Sequence, residues 1–217
     1  MAPKAQPTAK RGRPRDLAFE DRVFDAAVSL YGRHGLEGCS IGAIARGALV
    51  GKASVYLRWP DKVTLLRAAL DARIVLDIDV DTGDLRADMR RLAEQMLRML
   101  WTDAGLAYMR RIIDTSVHPE VFPRYAEGSP VVLAARRLVH NAIDRYQLPA
   151  GTSPTVLLDM LFGACMMHAT ATPAALRSTA EAHAADYLDQ LVDAVLAAVT
   201  QTTNGEPRDP LLNPSRD

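Results

Sequence analysis

Apolar positions recur every three or four residues through nearly the whole chain, and no convincing period-two strand interrupts them. A first helix is predicted over Leu17 to His34, with Val23, Ala27, Leu30 and Tyr31 on one face and Gly35 as its C-terminal stop. Ser40 can cap a short second helix from Ile41 to about Ala48, whose Ile41, Ile44, Ala45 and Ala48 share a stripe. A third short helix fits Lys52 to Trp59. Pro60 then breaks the chain, Asp61 restarts it as an N-cap, and a fourth helix carries Val63, Leu66, Leu70 and Ile74.

The acidic, turn-rich stretch DIDVDTGD, Asp77 to Asp84, marks a boundary. Beyond it the spacing predicts an amphipathic helix carrying Leu85, Met89, Leu92, Met96 and Leu100, and another from about Leu106 to Val117. Pro119, Pro123 and Pro130 punctuate the next region. A helix follows over Val131 to Tyr146, a strongly apolar one over Thr155 to about Thr170, and a last one over Thr179 to Thr200. The pattern is all-α and divides into a flexible basic arm (1–16), an N-terminal helical domain (17–76), a larger helical domain (77–200) and a disordered tail (201–217).

Composition changes the picture only in part. The chain has 217 residues, 48% of them hydrophobic and 24% charged, which suits a folded core in water. Its two cysteines, Cys39 and Cys165, build neither a disulfide framework nor a zinc ribbon, so the expected home is the cytoplasm and no metal is expected. The basic N-terminus lacks the apolar run of a signal peptide, and the longest apolar stretch, Val156 to Met167, is interrupted by Asp159, so no membrane association is expected. The net charge of zero hides an asymmetry. Up to Arg73 there are 13 Lys and Arg against 7 Asp and Glu; beyond it there are 13 against 19. Opposed halves of this kind suggest a nucleic-acid-binding segment joined to one that does not touch nucleic acid.

One longer helix followed by two short ones across a turn is the layout of a three-helix helix-turn-helix domain. The short helices are marginal alone and must pack on their neighbours, which leaves the polar residues of the third free to face a groove. The residues themselves carry a resemblance. Val23 to Leu70, VFDAAVSLYGRHGLEGCSIGAIARGALVGKASVYLRWPDKVTLLRAAL, resembles the N-terminal domain of the TetR family of bacterial transcriptional regulators. The matching features are A-A-x-x-L-Y-x-x-x-G in the first helix, I-x-x-I-A in the second, and K-x-S-x-Y-x-x-W-P-x-K across the third and fourth.

The resemblance implies a homodimer whose N-terminal domains read a palindromic operator in double-stranded DNA while the C-terminal domains dimerise and bind a small-molecule effector. By position, Lys52, Ala53 and Ser54 would open the recognition helix, Tyr56 would bond a phosphate, and Lys62 would meet another at the start of the fourth helix. Ser40 would reach the backbone too. Helix N-termini favour anions, which independently suits Ser40 and Lys62. Three departures stand out. Leu49 occupies the turn position where the family usually has glycine, and Gly51, at the recognition-helix cap, is expected to supply the turn's flexibility instead. Ala43 denies Ser40 a capping box. Ala53 and Val55 cannot make a bidentate base contact, and Arg58 is free to point elsewhere.

The arm reads KRGRPR from Lys10 to Arg15. One reading is a solvated tail. The other, strengthened by the domain that follows, is a minor-groove arm similar to AT-hook segments, with Arg11, Arg13 and Arg15 entering an A·T-rich cleft. In the second domain, Met96, Met99, Trp101, Met109, Phe122, Tyr125, Met160, Phe162, Met166 and Met167 are candidates for an apolar effector pocket, with His168 as a polar anchor. The same residues at helical spacing also serve as core.

Gly163 and Ala164 would permit close helix packing across a four-helix dimer interface. The scattered histidines match no catalytic motif, so the chain is not expected to be an enzyme, and no cofactor is implied. The expected function is a repressor released from its operator by a small effector. The alternative is an architectural DNA-binding protein with little specificity and no effector.

Overall fold

The computed structural model describes residues 17–77, 81–122 and 130–201. The basic arm with Arg11, Arg13 and Arg15, the candidate Tyr125, and the tail from residue 202 lie outside them. Among the described residues there is no strand, and the chain forms ten α-helices and one 3-10 turn.

The N-terminal unit is built on α1 (Leu17–Gly38), whose Phe19, Val23, Phe24, Ala27, Val28 and Tyr31 recur on one buried face. Gly35 leaves the helix with φ 68° and ψ −173°, as its stop role requires, although one further turn continues to Gly38. The positive φ is what demands glycine there, while Arg110 Nη1, 2.9 Å from where a Cβ would stand, is the movable end of a side chain. Ser40 accepts a hydrogen bond from Ala43 N at 3.1 Å and caps α2 (Ile41–Gly47). The third helix, α3, is shorter than its apolar pattern suggests, Lys52–Tyr56, with Trp59 N still bonded to Val55 O at 2.9 Å in a loose last turn. Asp61 caps α4 (Lys62–Arg73) by accepting from Thr64 N at 2.8 Å and Thr64 Oγ1 at 2.9 Å.

The turn between α2 and α3 corrects one expectation. Leu49 itself takes the left-handed conformation, φ 55°, while Gly51 sits at an ordinary extended φ −69°, ψ 130°. Leu49 N donates to Arg46 O at 3.2 Å and Val50 N to Ala45 O at 3.0 Å, the paired bonds of a Schellman motif. The motif needs a positive φ at its fifth position whatever residue stands there, so Leu49 carries the strain that Gly51 was expected to relieve.

The second unit packs α5 (Leu85–Leu100) against α8 (Pro154–Ala171) and α10 (Ala184–Gln201), with α7 (Pro130–Asp144) beside α8. Met89, Leu92, Met96, Leu138, Leu157, Leu161, Leu188 and Val192 form its core. The predicted last helix is in fact two: α9 (Arg177–Ala182) ends at His183, whose Nδ1 lies 2.9 Å from Thr179 O, and α10 starts immediately after. A side chain that meets its own helix end in this way favours termination. The remaining helix, α6 (Asp103–Val117), belongs by chain order to the second unit yet lies mainly along α1.

Candidate nucleic-acid interface

The inner faces of α2 and α3 are spent on packing: Ile41, Ile44, Ala45, Val55 and Trp59 are buried, and Phe24 meets Trp59 with ring centroids 5.4 Å apart. What remains outside is a face with Ser40, Gly42, Arg46, Lys52, Ala53, Ser54, Tyr56 and Leu57. From Ser40 to Pro60 the chain holds no Asp or Glu and three cations. Arg58 is turned away from this face. Its guanidinium lies 4.3 Å from the Phe19 ring centroid and 3.8 Å from Glu20 Oε2. Arg46 and Lys52 have no ion pair among the described residues, so their charge stands uncompensated and favours a polyanion.

Three of these side chains converge. A Cβ added at Gly42 would lie 3.8 Å from Arg46 Nη1, 3.9 Å from Lys52 Cε and 3.9 Å from Ser40 Oγ. The missing side chain thus leaves a notch walled by a guanidinium, a lysine and a hydroxyl. Lys52 Nζ also stands 5.6 Å from the centroid of the Tyr56 ring, and Tyr56 is half exposed. Arg46 is not singled out in the sequence reading, although an unopposed arginine inside an acid-free stretch is a signal that could have found it. Lys62 is placed differently from the others. Its Nζ donates to the Leu36 carbonyl at 3.0 Å, tying α4 to the end of α1. Beside it, burial pushes the Cys39 thiol up to about 11, which makes that cysteine packing rather than a reactive group.

In the second unit the pocket candidates scatter. Met96 is core, and Met99, Trp101, Met109, Phe162 and Met166 pack partly buried against it. Met160 and Met167 face outward from α8, exposed. Phe122 is a correction of another kind: it is buried in the N-terminal core, 5.6 Å from Tyr31 centroid to centroid, and so braces the first domain instead of lining a pocket in the second. His168 stacks on Tyr187 at 3.9 Å, with Trp101 6.2 Å away. Trp101 Nε1 and His168 Nε2 are buried and have no hydrogen-bond partner among the described residues, a state that costs about 1–3 kcal/mol per group if nothing fills it. A cavity of about 460 Å³ opens beside Trp101, between α5 and the α9–α10 junction.

Comparison with known proteins now bears on both units. The family model described as bacterial regulatory proteins, tetR family, matches residues 23–69, and the one described as tetracyclin repressor-like, C-terminal domain, matches residues 79–195. The second match alone spans more than half of the chain. The chain belongs to the TetR family. It is a transcriptional regulator and not an enzyme.

Relatives bear this out. The HTH-type transcriptional regulator AqdR of Rhodococcus erythropolis is 25% identical over 165 residues, 75% of this chain and 80% of the relative. The DNA-binding transcriptional repressor TetR of Mycobacteroides abscessus is 32% identical over 156 residues, 62% of this chain and 80% of the relative. In fold, a TetR family transcription regulator from Marinobacter aquaeolei aligns with TM-score 0.64 at 17% identity, covering 87% of this chain and 98% of that one. The fatty acid degradation regulator FadR from Bacillus halodurans aligns with TM-score 0.59 at 17% identity, covering 91% and 100%.

TetR-family regulators bind DNA, so the geometry that joins the DNA-binding domain to the second one matters. By chain order α4 leads from the first unit into the second, but α6 makes the larger contact between them. Gly32 and Gly35 let α6 approach closely, since a Cβ on Gly32 would lie 3.1 Å from Ala107 N. Tyr31 OH donates to Asp114 Oδ2 at 2.8 Å, Arg110 Nε to Gly32 O at 3.1 Å, and Arg33 pairs with Asp103 at 3.3 Å. Burial, with the Asp114 carboxylate beside it, drives the Tyr31 phenol well above its ordinary range and keeps it a donor. α4 adds Arg111–Asp71 at 3.0 Å and the hydrogen bonds of Arg67 to the Val121 carbonyl.

Proposed function

We propose that this regulator is a repressor that binds a palindromic operator as a homodimer and leaves it when a small, mainly apolar effector binds its second domain. The observation that carries the reading is the acid-free outer face of α2 and α3, where Arg46 and Lys52 stand unpaired around the Gly42 notch. Ser40, Arg46, Lys52, Tyr56 and Lys62 would hold phosphates, Ala53 and Ser54 would approach base edges, and Arg11, Arg13 and Arg15 of the arm would enter the flanking minor groove. Such a protein works in the bacterial cytoplasm.

The second copy is proposed from α8 and α10. Val156, Met160 and Met167 are exposed along one face of α8, and Gly163 between them has nothing within 4 Å of a Cβ. Paired with the exposed small residues Ala194 and Ala197 of α10, this face can form a four-helix interface between subunits. Dimerisation makes the second half-site contact intramolecular, which raises affinity without new contacts. An effector would act by linkage, favouring a spacing of the two recognition helices that misses half-sites about 34 Å apart. With α6 gripping α1, a shift of α6 would carry the DNA-binding domain with it.

One observation favours the architectural alternative: among the outward residues of α3, Lys52, Ser54 and Tyr56 can hydrogen-bond a base edge, and no Arg, Asn or Gln stands with them. Salt titrations on operator and on unrelated DNA separate the readings. Arg46→Ala and Lys52→Ala should each lower the slope of log K against log salt by about 0.9 and weaken every sequence alike. An unchanged slope in both variants would remove the α2–α3 face from the interface.

A further inference from the structure

We propose that Leu57, with Ala53 one turn before it, is the specificity-determining residue of this regulator, and that it selects the operator by packing on thymine C5-methyl groups in the major groove. This rests on the reading of the α2–α3 face as the DNA interface and adds which base that face selects and by what contact.

The helix sets the geometry. Val55 is fully buried and anchors the inner side of α3. At about 100° per residue, Ala53 and Leu57 each fall about 160° away from it, on the outermost line of the helix. Leu57 keeps that register: its φ −64° and ψ −23° are helical, and its N donates to the Ala53 carbonyl at 3.1 Å. The side chain is 87% exposed. Among the described residues up to the end of α4, the exposed large hydrophobic side chains are Leu49, Tyr56 and Leu57, all within the acid-free stretch from Ser40 to Pro60. Apolar surface gathered in one place marks a face that a partner covers, and the uncompensated Arg46 and Lys52 beside it make that partner a polyanion.

The cations near this line are held to its sides. Lys52 reaches toward the Gly42 notch and the Tyr56 ring, and Arg58 is held by Glu20 and the Phe19 ring. The outermost line of α3 is therefore carbon. In the major groove, adenine, guanine and cytosine present donors and acceptors that a leucine would strip of water without replacing. Thymine alone adds a methyl group, and burying it against Leu57 is favourable. Specificity then comes from burial, which lets α3 choose a sequence without a bidentate side chain.

The test uses the full chain and a randomised duplex pool, from which the bound site is selected. Each thymine of that site is then replaced by deoxyuridine, which keeps every hydrogen-bonding group and removes only the methyl. Fluorescence anisotropy of the labelled duplexes reads the affinity. One thymine at the same position of each half-site is expected to respond. Its replacement should weaken binding about fourfold, the worth of one buried methyl, and about fifteenfold when both half-sites are changed. In Leu57→Ala that penalty should fall below about twofold, while the slope of log K against log salt stays that of the parent because no charge has been removed. A site whose thymines can all be replaced without loss, a penalty undiminished in Leu57→Ala, or a selection that enriches no sequence would each overturn the proposal. The deoxyuridine scan of the unsubstituted protein decides the methyl contact whether or not a variant folds. Arg46→Ala and Lys52→Ala keep the reading of the DNA face separate: lowered salt slopes without any response to deoxyuridine refute the methyl contact alone.

Discussion

Replacing Leu49 by glycine should stabilise the protein. Leu49 holds φ 55° at the fifth position of the Schellman turn that ends α2, and an L-residue with a side chain pays about 1–2 kcal/mol for that conformation. Glycine pays almost nothing there, but its freer unfolded chain returns about 0.5–1 kcal/mol to the unfolded state. Little burial is lost, because Leu49 is 89% exposed. The net expectation is a gain of about 0.5–1 kcal/mol, which for a chain of this size is a rise in Tm of about 1–4 °C. Urea unfolding followed by circular dichroism at equal protein concentration measures it, with an unchanged m-value showing that only stability moved. Leu49→Val should shift the midpoint the other way, since a β-branched residue tolerates positive φ least. A midpoint that falls in Leu49→Gly by as much as it was expected to rise would mean that Leu49 contributes a contact in the folded protein and that the left-handed turn is not what holds α2 to α3.

Three other expectations follow from named contacts. Hydrogen bonds from Thr64 lower the Asp61 pKa, so its stabilising effect is full above the unfolded value of about 3.9 and is lost as pH falls through the lower folded value. Asp61→Asn keeps the cap, worth about 1 kcal/mol, and should remove that part of the acid sensitivity in urea melts at pH 6 and pH 3; an identical acid response in both proteins contradicts the cap. Gly163→Arg puts a charge into open space on the outer face of α8, so sedimentation should show the parent as a dimer and the variant as a folded monomer; a persisting dimer places the interface elsewhere. Deleting residues 1–15 should cost most affinity on sites with A·T flanks, and an equal loss on all flanks removes the minor-groove role of the arm.

Helix periodicity made α1, α2, α4 and α5 legible because each buries one stripe, α8 was legible as a nearly continuous apolar run, and Ser40, Asp61 and Gly35 announced their own ends. The division of the last helix at His183 was hidden, since Ala-rich flanks on both sides read as one continuous helix. The positive φ at Leu49 was hidden too: residue type argued for Gly51, while the hydrogen-bond pattern of the turn, invisible in the sequence, put the strain one step before Val50. On the proposed DNA-facing side, Lys52 and Tyr56 were legible through the resemblance to the TetR family, whereas Arg46 joins them because α2 and α3 bring it to the Gly42 notch. Long-range packing is also what moved Phe122 from a supposed pocket to the Tyr31 ring. Composition showed Met and aromatic residues gathered in the second domain; it could not separate Met96, buried, from Met167, which faces outward.

The central claim is that α2 and α3 read a defined operator as a symmetric pair. Its most direct test is selection of genomic fragments by the purified protein at physiological salt, followed by footprinting of those retained. The account predicts protection of one or a few palindromes with half-site centres about one helical turn or a multiple of it apart, weakened alike by Arg46→Ala and Tyr56→Phe. Broad retention of A·T-rich DNA without a repeated palindrome would contradict it and leave the helix-turn-helix holding position without reading sequence.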